Sequence, residues 1–255
     1  MSQKRRRAAA IRRVIILTAI FATLGVGVSI AFIAAGGGFE SSSPNIFDPP
    51  TDADIWNVGD HIQDGMTLEY VLTSKGQPNS LESARVSMNF KQAGENWNVR
   101  FMITNSTDQP TVNHTVVISK ELTREGQLDE SFRPYFEHIQ SSILAVRDME
   151  YGGSPKYLVV GAPWNTIFVG SSSVTARVTS EERTSTLAGV FDSFVLSYKL
   201  GEATSKIWLV RDMPLPVKAE VYDAEDNLLY QYELTNASGV ASTPSTATGN
   251  SLQPT

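Results

Sequence analysis

Alternation of apolar and polar side chains sets the character of the middle of this chain. Ala84, Val86, Met88 and Phe90 alternate with Arg85, Ser87, Asn89 and Lys91. Trp97, Val99, Phe101 and Ile103 alternate with Asn98, Arg100, Met102 and Thr104. A period of two marks a strand with one buried face, and QAGEN between the two runs supplies a hairpin turn. Val112, His114, Val116 and Ile118 give a third strand, with His114 the polar member of its apolar row. Five more runs follow at Val174–Thr179, Phe194–Leu200, Lys206–Arg211, Val217–Tyr222 and Leu228–Leu234. Links as short as GEAT and DAEDN fit antiparallel hairpins.

One segment has the helical period instead. From Ser131 to Arg147, Phe132, Tyr135, Phe136, Ile139, Ile143 and Val146 form a single apolar stripe. Ser131 is the expected N-cap, and Pro134 falls in the first turn, where its missing N–H costs nothing. Half-polar strands need a cover on one face. The expectation is therefore a mainly β (α+β) domain, a curved antiparallel sheet or half-barrel packed on one long helix. An open sandwich is the alternative.

A different pattern precedes this domain. Val14 to Ala35 is 22 residues without a charge, about 33 Å of helix against a hydrocarbon core of ~30 Å. Lys4, Arg5, Arg6, Arg7, Arg12 and Arg13 precede it, and the next basic residue is Lys75. The bias of cationic residues to the cytoplasmic side puts the N-terminus inside the cell and the remainder outside. The run exceeds the ~7–15 residues of a cleaved signal, and Phe32 or Ile33 stands where cleavage needs a small residue. An uncleaved, single-pass signal-anchor in the cell membrane is expected, held in the lipid bilayer through residues 14–35. Gly25 and Ser29 have the small-xxx-small spacing of packed membrane helices. The expected organisation is a cytoplasmic basic segment at 1–13, the membrane helix at 14–35 and a flexible stalk at 36–54. An extracytoplasmic domain at 55–236 and a disordered Ser/Thr-rich tail at 237–255 complete it.

Charge narrows the partners. Downstream of residue 13 only 15 basic residues face 27 acidic ones, a surface that repels nucleic acid. Zero cysteines exclude disulfides, thiolate metal sites and thiol catalysis. The three histidines, His61, His114 and His138, share no metal-ligand spacing. His61 lies between Asp60 and Asp64, a sequence arrangement read first as a polar loop. Asp223, Glu225, Asp226 and Asn227 are acidic enough for a calcium loop, but Leu228 and Leu234 stand where its glycine and glutamate belong. No phosphate-binding glycine loop or nucleophile elbow occurs. No catalytic, cofactor-binding or metal-ligating residue is assigned, and no cofactor. Asn105, Asn113 and Asn236 head N-x-[ST] sequons and are candidate glycosylation sites outside the cell. Trp164 and Asn165, after Pro163, read as an exposed turn that could touch a ligand or partner. Trp208 reads as a core residue, and Gly189 as a turn or bulge.

PKYLVVGAPWNTIF, VTSEERTSTLAGVFDSFVLSYKLG, SKIWLVRDMPLPVKAEVYD and LLYQYEL, within Pro155–Leu234, resemble a family of exported, membrane-anchored archaeal β-rich domains. WNVGDHIQDGMTLEY (Trp56–Tyr70) resembles the opening of the same domain. A looser form of this pattern is similar to the LolA-like half-barrel lipoprotein carriers, which implies a curved sheet around helices with an apolar cleft. The lipobox cysteine of that group is missing, and neither resemblance brings catalytic residues.

Three functions follow as expectations. The first is a membrane-anchored extracytoplasmic binding or structural module, not an enzyme, with a protein or hydrophobic partner. The second is a LolA-like carrier of lipid, which requires an apolar cleft between helix and sheet. The third is an extracytoplasmic hydrolase with no recognisable motif, which a concave cluster of His61 with carboxylates from distant strands would support. A fragment starting at residue 39 is expected to stay in the supernatant without detergent. Its recovery in the membrane pellet would contradict a single anchor.

Overall fold

Ten strands and one short helix make up the domain in a computed structural model that describes residues 50–75, 82–105, 112–149, 155–169 and 172–240. The basic segment, the apolar run at 14–35, nearly all of the stalk and the tail beyond residue 240 lie outside the described residues. Among the described residues, no helix is long and apolar enough to cross a membrane. The strands are β1 (Thr67–Ser74), β2 (Ser83–Ala93), β3 (Asn96–Asn105), β4 (Val112–Ile118) and β5 (Pro163–Val169). They continue as β6 (Ser172–Thr186), β7 (Gly189–Lys199), β8 (Thr204–Leu209), β9 (Lys218–Tyr222) and β10 (Leu228–Ser238). All join one sheet in the order β4-β3-β2-β1-β10-β9-β8-β7-β6-β5.

That order has a simple origin. Each strand pairs with its sequence neighbour, as short turns require, except across the β4-to-β5 connection. The two resulting meanders are joined where β1 pairs antiparallel with β10, Leu72 opposite Tyr232 and Tyr70 opposite Leu234. Both β1 and β5 go beyond the eight strands expected from alternation. β1 carries a full alternation of its own, with Leu68, Tyr70, Leu72 and Ser74 buried.

The expected helix is shorter than its apolar stripe. α1 spans Arg133–Gln140, and a 3-10 turn follows at Ala145–Met149. Two adjacent serines explain the break. The Ser142 hydroxyl donates to His138 O at 2.6 Å, and the Leu144 N–H donates to Ile139 O, five residues back. Serine hydroxyls compete with the helical ladder for carbonyls. Nor does Ser131 cap the helix: its own N–H and hydroxyl donate to Asp129 Oδ1, while Arg133 N–H donates to Asp129 O.

The stripe still does its packing work across the break. Phe132, Phe136, Ile139, Ile143 and Val146 are each at most 1% exposed. Phe101 of β3 sits 5.9 Å from the Phe132 ring and 5.7 Å from Phe136, edge-on to the latter. Over the other meander the cover is loop. Trp56 donates through Nε1 to Val210 O and Met213 O, and Tyr70 OH donates to Pro216 O. The Pro-rich segment before β9 therefore supplies carbonyls, the only groups a proline backbone can offer. Gly59 lets two loops touch there: a Cβ on it would lie 2.4 Å from Lys120 O, and its φ is +82°. Phe136→Ala should cost about 3–5 kcal/mol in chemical denaturation, as expected for a fully packed aromatic. Leu229→Ala, at a position 43% exposed, should stay within about 0.5 kcal/mol of the parent.

Candidate functional site

Strand lengths are mismatched on one side of the sheet. β6 has 15 residues and β7 has 11, but β8 has only six and β9 five. The β6–β7 hairpin therefore outruns its neighbours, and a bulge in β6 between Val178 and Ser180 bends the overhang. Its tip curls onto the face of the sheet opposite α1. There Leu187 N–H donates to Glu233 Oε1 at 2.9 Å and Ala188 N–H to Leu234 O. Glu182 Oε1 accepts the Trp208 indole N–H at 2.6 Å.

This arm gives the outer face a cover of its own. By register, Ser193, Val195 and Trp208 point away from α1, yet they are 0, 2 and 6% exposed. Their hydroxyl partners are local: Thr184 and Ser193 hydroxyls lie 2.6 Å apart, and Ser193 Oγ donates to Glu182 O. Trp208 is thus a packed residue, as its mid-strand position implied, but on the second face. Gly189, with φ of +146°, closes the β6–β7 turn as it enters β7.

Two rows of side chains cross the sheet beside the arm. Register aligns Trp208, Lys218, Glu233 and Val71 in one, and Lys206, Glu220, Gln231 and Thr73 in the next. Lys218 Nζ sits 4.7 Å over the Trp208 ring and 3.0 Å from Glu220 Oε1. Leu187 overhangs these rows and leaves a groove of about 260 Å³, lined also by Thr235. Its floor holds two carboxylates and one ammonium. Its rim carries Leu187, 77% exposed. Lys218, Glu220, Gln231 and Glu233 are the polar positions of alternating strands, but only strand order and the arm bring them together.

The residues singled out from sequence are dispersed. Trp164 is not on an exposed turn: it is 5% exposed in β5, 5.6 Å from Trp56, and its indole N–H donates to Tyr157 O. Pro163 opens that strand, where no ladder donor is needed. Asn165 follows in the same strand. His61 stands in a turn at φ +67°. Its two neighbours serve the backbone fold, Asp60 accepting from Asn57 Nδ2 and Asp64 from Gln92 N–H. His114 stacks on Phe132 at 4.7 Å. The Asp223 carboxylate accepts the Glu225 and Asn227 N–H groups, which shapes the β9–β10 turn. Among the described residues, no three His, Asp or Glu side chains gather as metal ligands. Asn105 ends β3 with its side-chain oxygen buried, Asn113 is exposed in β4, and Asn236 lies within β10 opposite Glu69.

The architecture is one antiparallel ten-stranded sheet with one helix, mainly β, in accord with the coarse form of the expected fold. No protein-family model and no curated protein matches the chain, so the archaeal resemblance has no counterpart there. Among solved structures it is similar to MucB, at 12% identity and a TM-score of 0.38 over 71% of this chain and 56% of that one. It is also similar to MucB in complex with MucA(peri), at 12% identity and a TM-score of 0.36 over 70% and 51%. A third is the MucA/MucB complex of Pseudomonas aeruginosa, at 14% identity and a TM-score of 0.37 over 73% and 55%. The chain spans about half the length of the MucB chains it matches. At such values the likeness carries no statement about activity or ligand.

His138 offers a direct test of the helix–sheet contact. It is 8% exposed, with Nε2 3.1 Å from the Ser74 hydroxyl of β1, and its burial pushes the imidazole below its usual 6.5. A depressed folded-state value means that unfolding takes up a proton as pH falls through the unfolded value near 6.5. Stability should therefore be flat above pH ~7 and decline below ~6.5. Denaturant midpoints measured at successive pH values should show that decline, and His138→Gln should abolish it.

Proposed function

We propose that this protein is a membrane-anchored extracytoplasmic binding module whose ligand is a protein, engaged at the groove beneath the β6–β7 arm. The groove is the observation that carries the reading. At about 260 Å³ it lies below the ~300–1,000 Å³ of small-molecule sites, and suits one anchoring side chain of a protein surface. Glu220 and Glu233 outnumber Lys218 on its lining, and the exported part carries 12 more acidic than basic residues. An arginine or lysine anchor, its stem on Leu187 and its charge toward the carboxylates, fits that lining.

The lipid-carrier reading finds less support. The face under α1 and the loops is filled by the domain's own side chains, including Tyr70, Phe90, Phe101, Phe132 and Phe136, each at most 1% exposed. A hydrolase built on His61 finds less support: Asp60 and Asp64 are engaged in turn hydrogen bonds, and among the described residues no three His, Asp or Glu side chains gather as metal ligands. The anchored, N-in topology rests on the charge asymmetry about residues 14–35.

Peptides selected from a random library on the domain should be enriched in arginine or lysine. Glu220→Lys should weaken them about tenfold or more, and Leu187→Asp should do likewise. Selected peptides that bind both variants as well as the parent would rule the groove out. Protease added to intact cells should remove the domain and spare residues 1–13; full protection would overturn the topology.

A further inference from the structure

Among the described residues, β4 has no strand partner beyond β3 along Asn113 and Thr115, and a sequon lies there. β4 is the terminal strand, with β3 as its neighbour. On its other side Glu125 N–H donates to Val117 O, so Val117 directs its backbone groups away from β3. Backbone direction alternates along a strand. Asn113 and Thr115 therefore turn their N–H and C=O groups to the same open side. An unpaired edge is a template for association with another strand, and folded proteins cover or charge such edges.

The same two residues form the acceptor motif Asn113-His114-Thr115. Both are exposed, and as i and i+2 they share the outer face of the sheet. The central His114 points to the other face and stacks on Phe132. Arg100 Nε donates to Asn113 Oδ1 at 3.0 Å. That bond holds the carboxamide by its oxygen and leaves Nδ2, the atom that takes a sugar, without a hydrogen-bond partner among the described residues. Asn105 differs in having its side-chain oxygen buried. Asn236 is exposed as well, but it stands opposite Glu69 on β10, away from this flank.

We propose that Asn113 carries an N-linked glycan and that this glycan shields the open edge of β4. The donor is a lipid phosphate- or pyrophosphate-linked oligosaccharide. Asn113 Nδ2 forms a bond to the anomeric carbon as the bond from that carbon to the phosphate oxygen breaks. The lipid phosphate departs with that electron pair, the amide proton goes to a base, and nothing is oxidised or reduced. A bulky, hydrated glycan at this position occupies the space an added strand would need. The proposal rests on the exported topology.

The full chain, purified from the membranes of the cells that make it, is digested and the peptide bearing Asn113 is weighed. Beside it, intact cells are treated with external protease. A peptide heavier by an oligosaccharide, with the excess mass lost in both Asn113→Gln and Thr115→Ala, is the expected result. Both variants should also sediment as larger species than the parent at equal concentration. A domain cut by external protease but bearing an unmodified Asn113 overturns the glycan, while a protected domain overturns the topology instead. Variants that lack the glycan yet sediment like the parent would overturn the shielding role alone.

Discussion

The pairing of β1 with β10 is the constraint on which the rest of the structure depends. Without it the chain is two meanders, β1–β4 and β5–β10, each with a face to bury. With it, the meanders become one sheet whose apolar face is continuous from Ile103 across Leu72 and Tyr232 to Ile207. The join is reinforced by side chains from both strands. Tyr70 and Tyr232 meet edge to face at 5.6 Å, and Ser74, at the end of β1, reaches His138 on α1. Burial raises the Tyr232 phenol well above 10, so at neutral pH it is an uncharged packing group. A bulge between Glu69 and Tyr70 adjusts the register at the join, and bulges of this kind increase local twist.

Curvature then decides what covers each face. α1 is eight residues long and cannot roof ten strands. Loops that carry Trp56, Leu158, Met213 and Leu215 complete the cover, and the polar side chains they bring find partners. Trp56 is satisfied by two carbonyls, and Arg211 by Asp54 at 2.9 Å and the Phe194 ring at 4.9 Å. These partners are carbonyls, a carboxylate and a ring, so non-helical segments meet the hydrogen-bonding needs of a buried cover.

The outer face follows from the same geometry. A hairpin longer than its neighbours has nowhere to pair, and a bulge turns its overhang over the sheet. Trp208 is then buried on a face that alternation alone assigns to solvent, and the polar rows beside it become the floor of a groove. The sheet order leaves β4 at one end, with the Asn113 and Thr115 backbone groups turned away from β3, and the strand-length mismatch leaves side chains half-enclosed under the arm.

Much of the fold was legible in the chain itself, because burial on one face imposes a period of two that no tertiary detail can erase. The β2–β3 and β9–β10 hairpins, with turns at Gly94 and Asp226, follow from that period and from turn chemistry. β1 shows the same alternation in Leu68, Tyr70 and Leu72, yet nothing local says that it pairs with a strand more than 150 residues away. The apolar stripe of 132–146 predicted the buried face correctly and the helix length wrongly, because Ser141 and Ser142 interrupt the ladder without disturbing the stripe. Trp164 looked exposed beside Pro163 and is buried, since a proline starts a strand as readily as it makes a turn. The sequence by itself determined which residues alternate, where the turns fall and which surface is acidic, all consequences of contacts within a few residues. Strand order, the cover on each face and the groove beneath the arm were decided only by the tertiary structure. They depend on which distant segments meet, and hydrophobic burial rewards any such meeting without naming the partner.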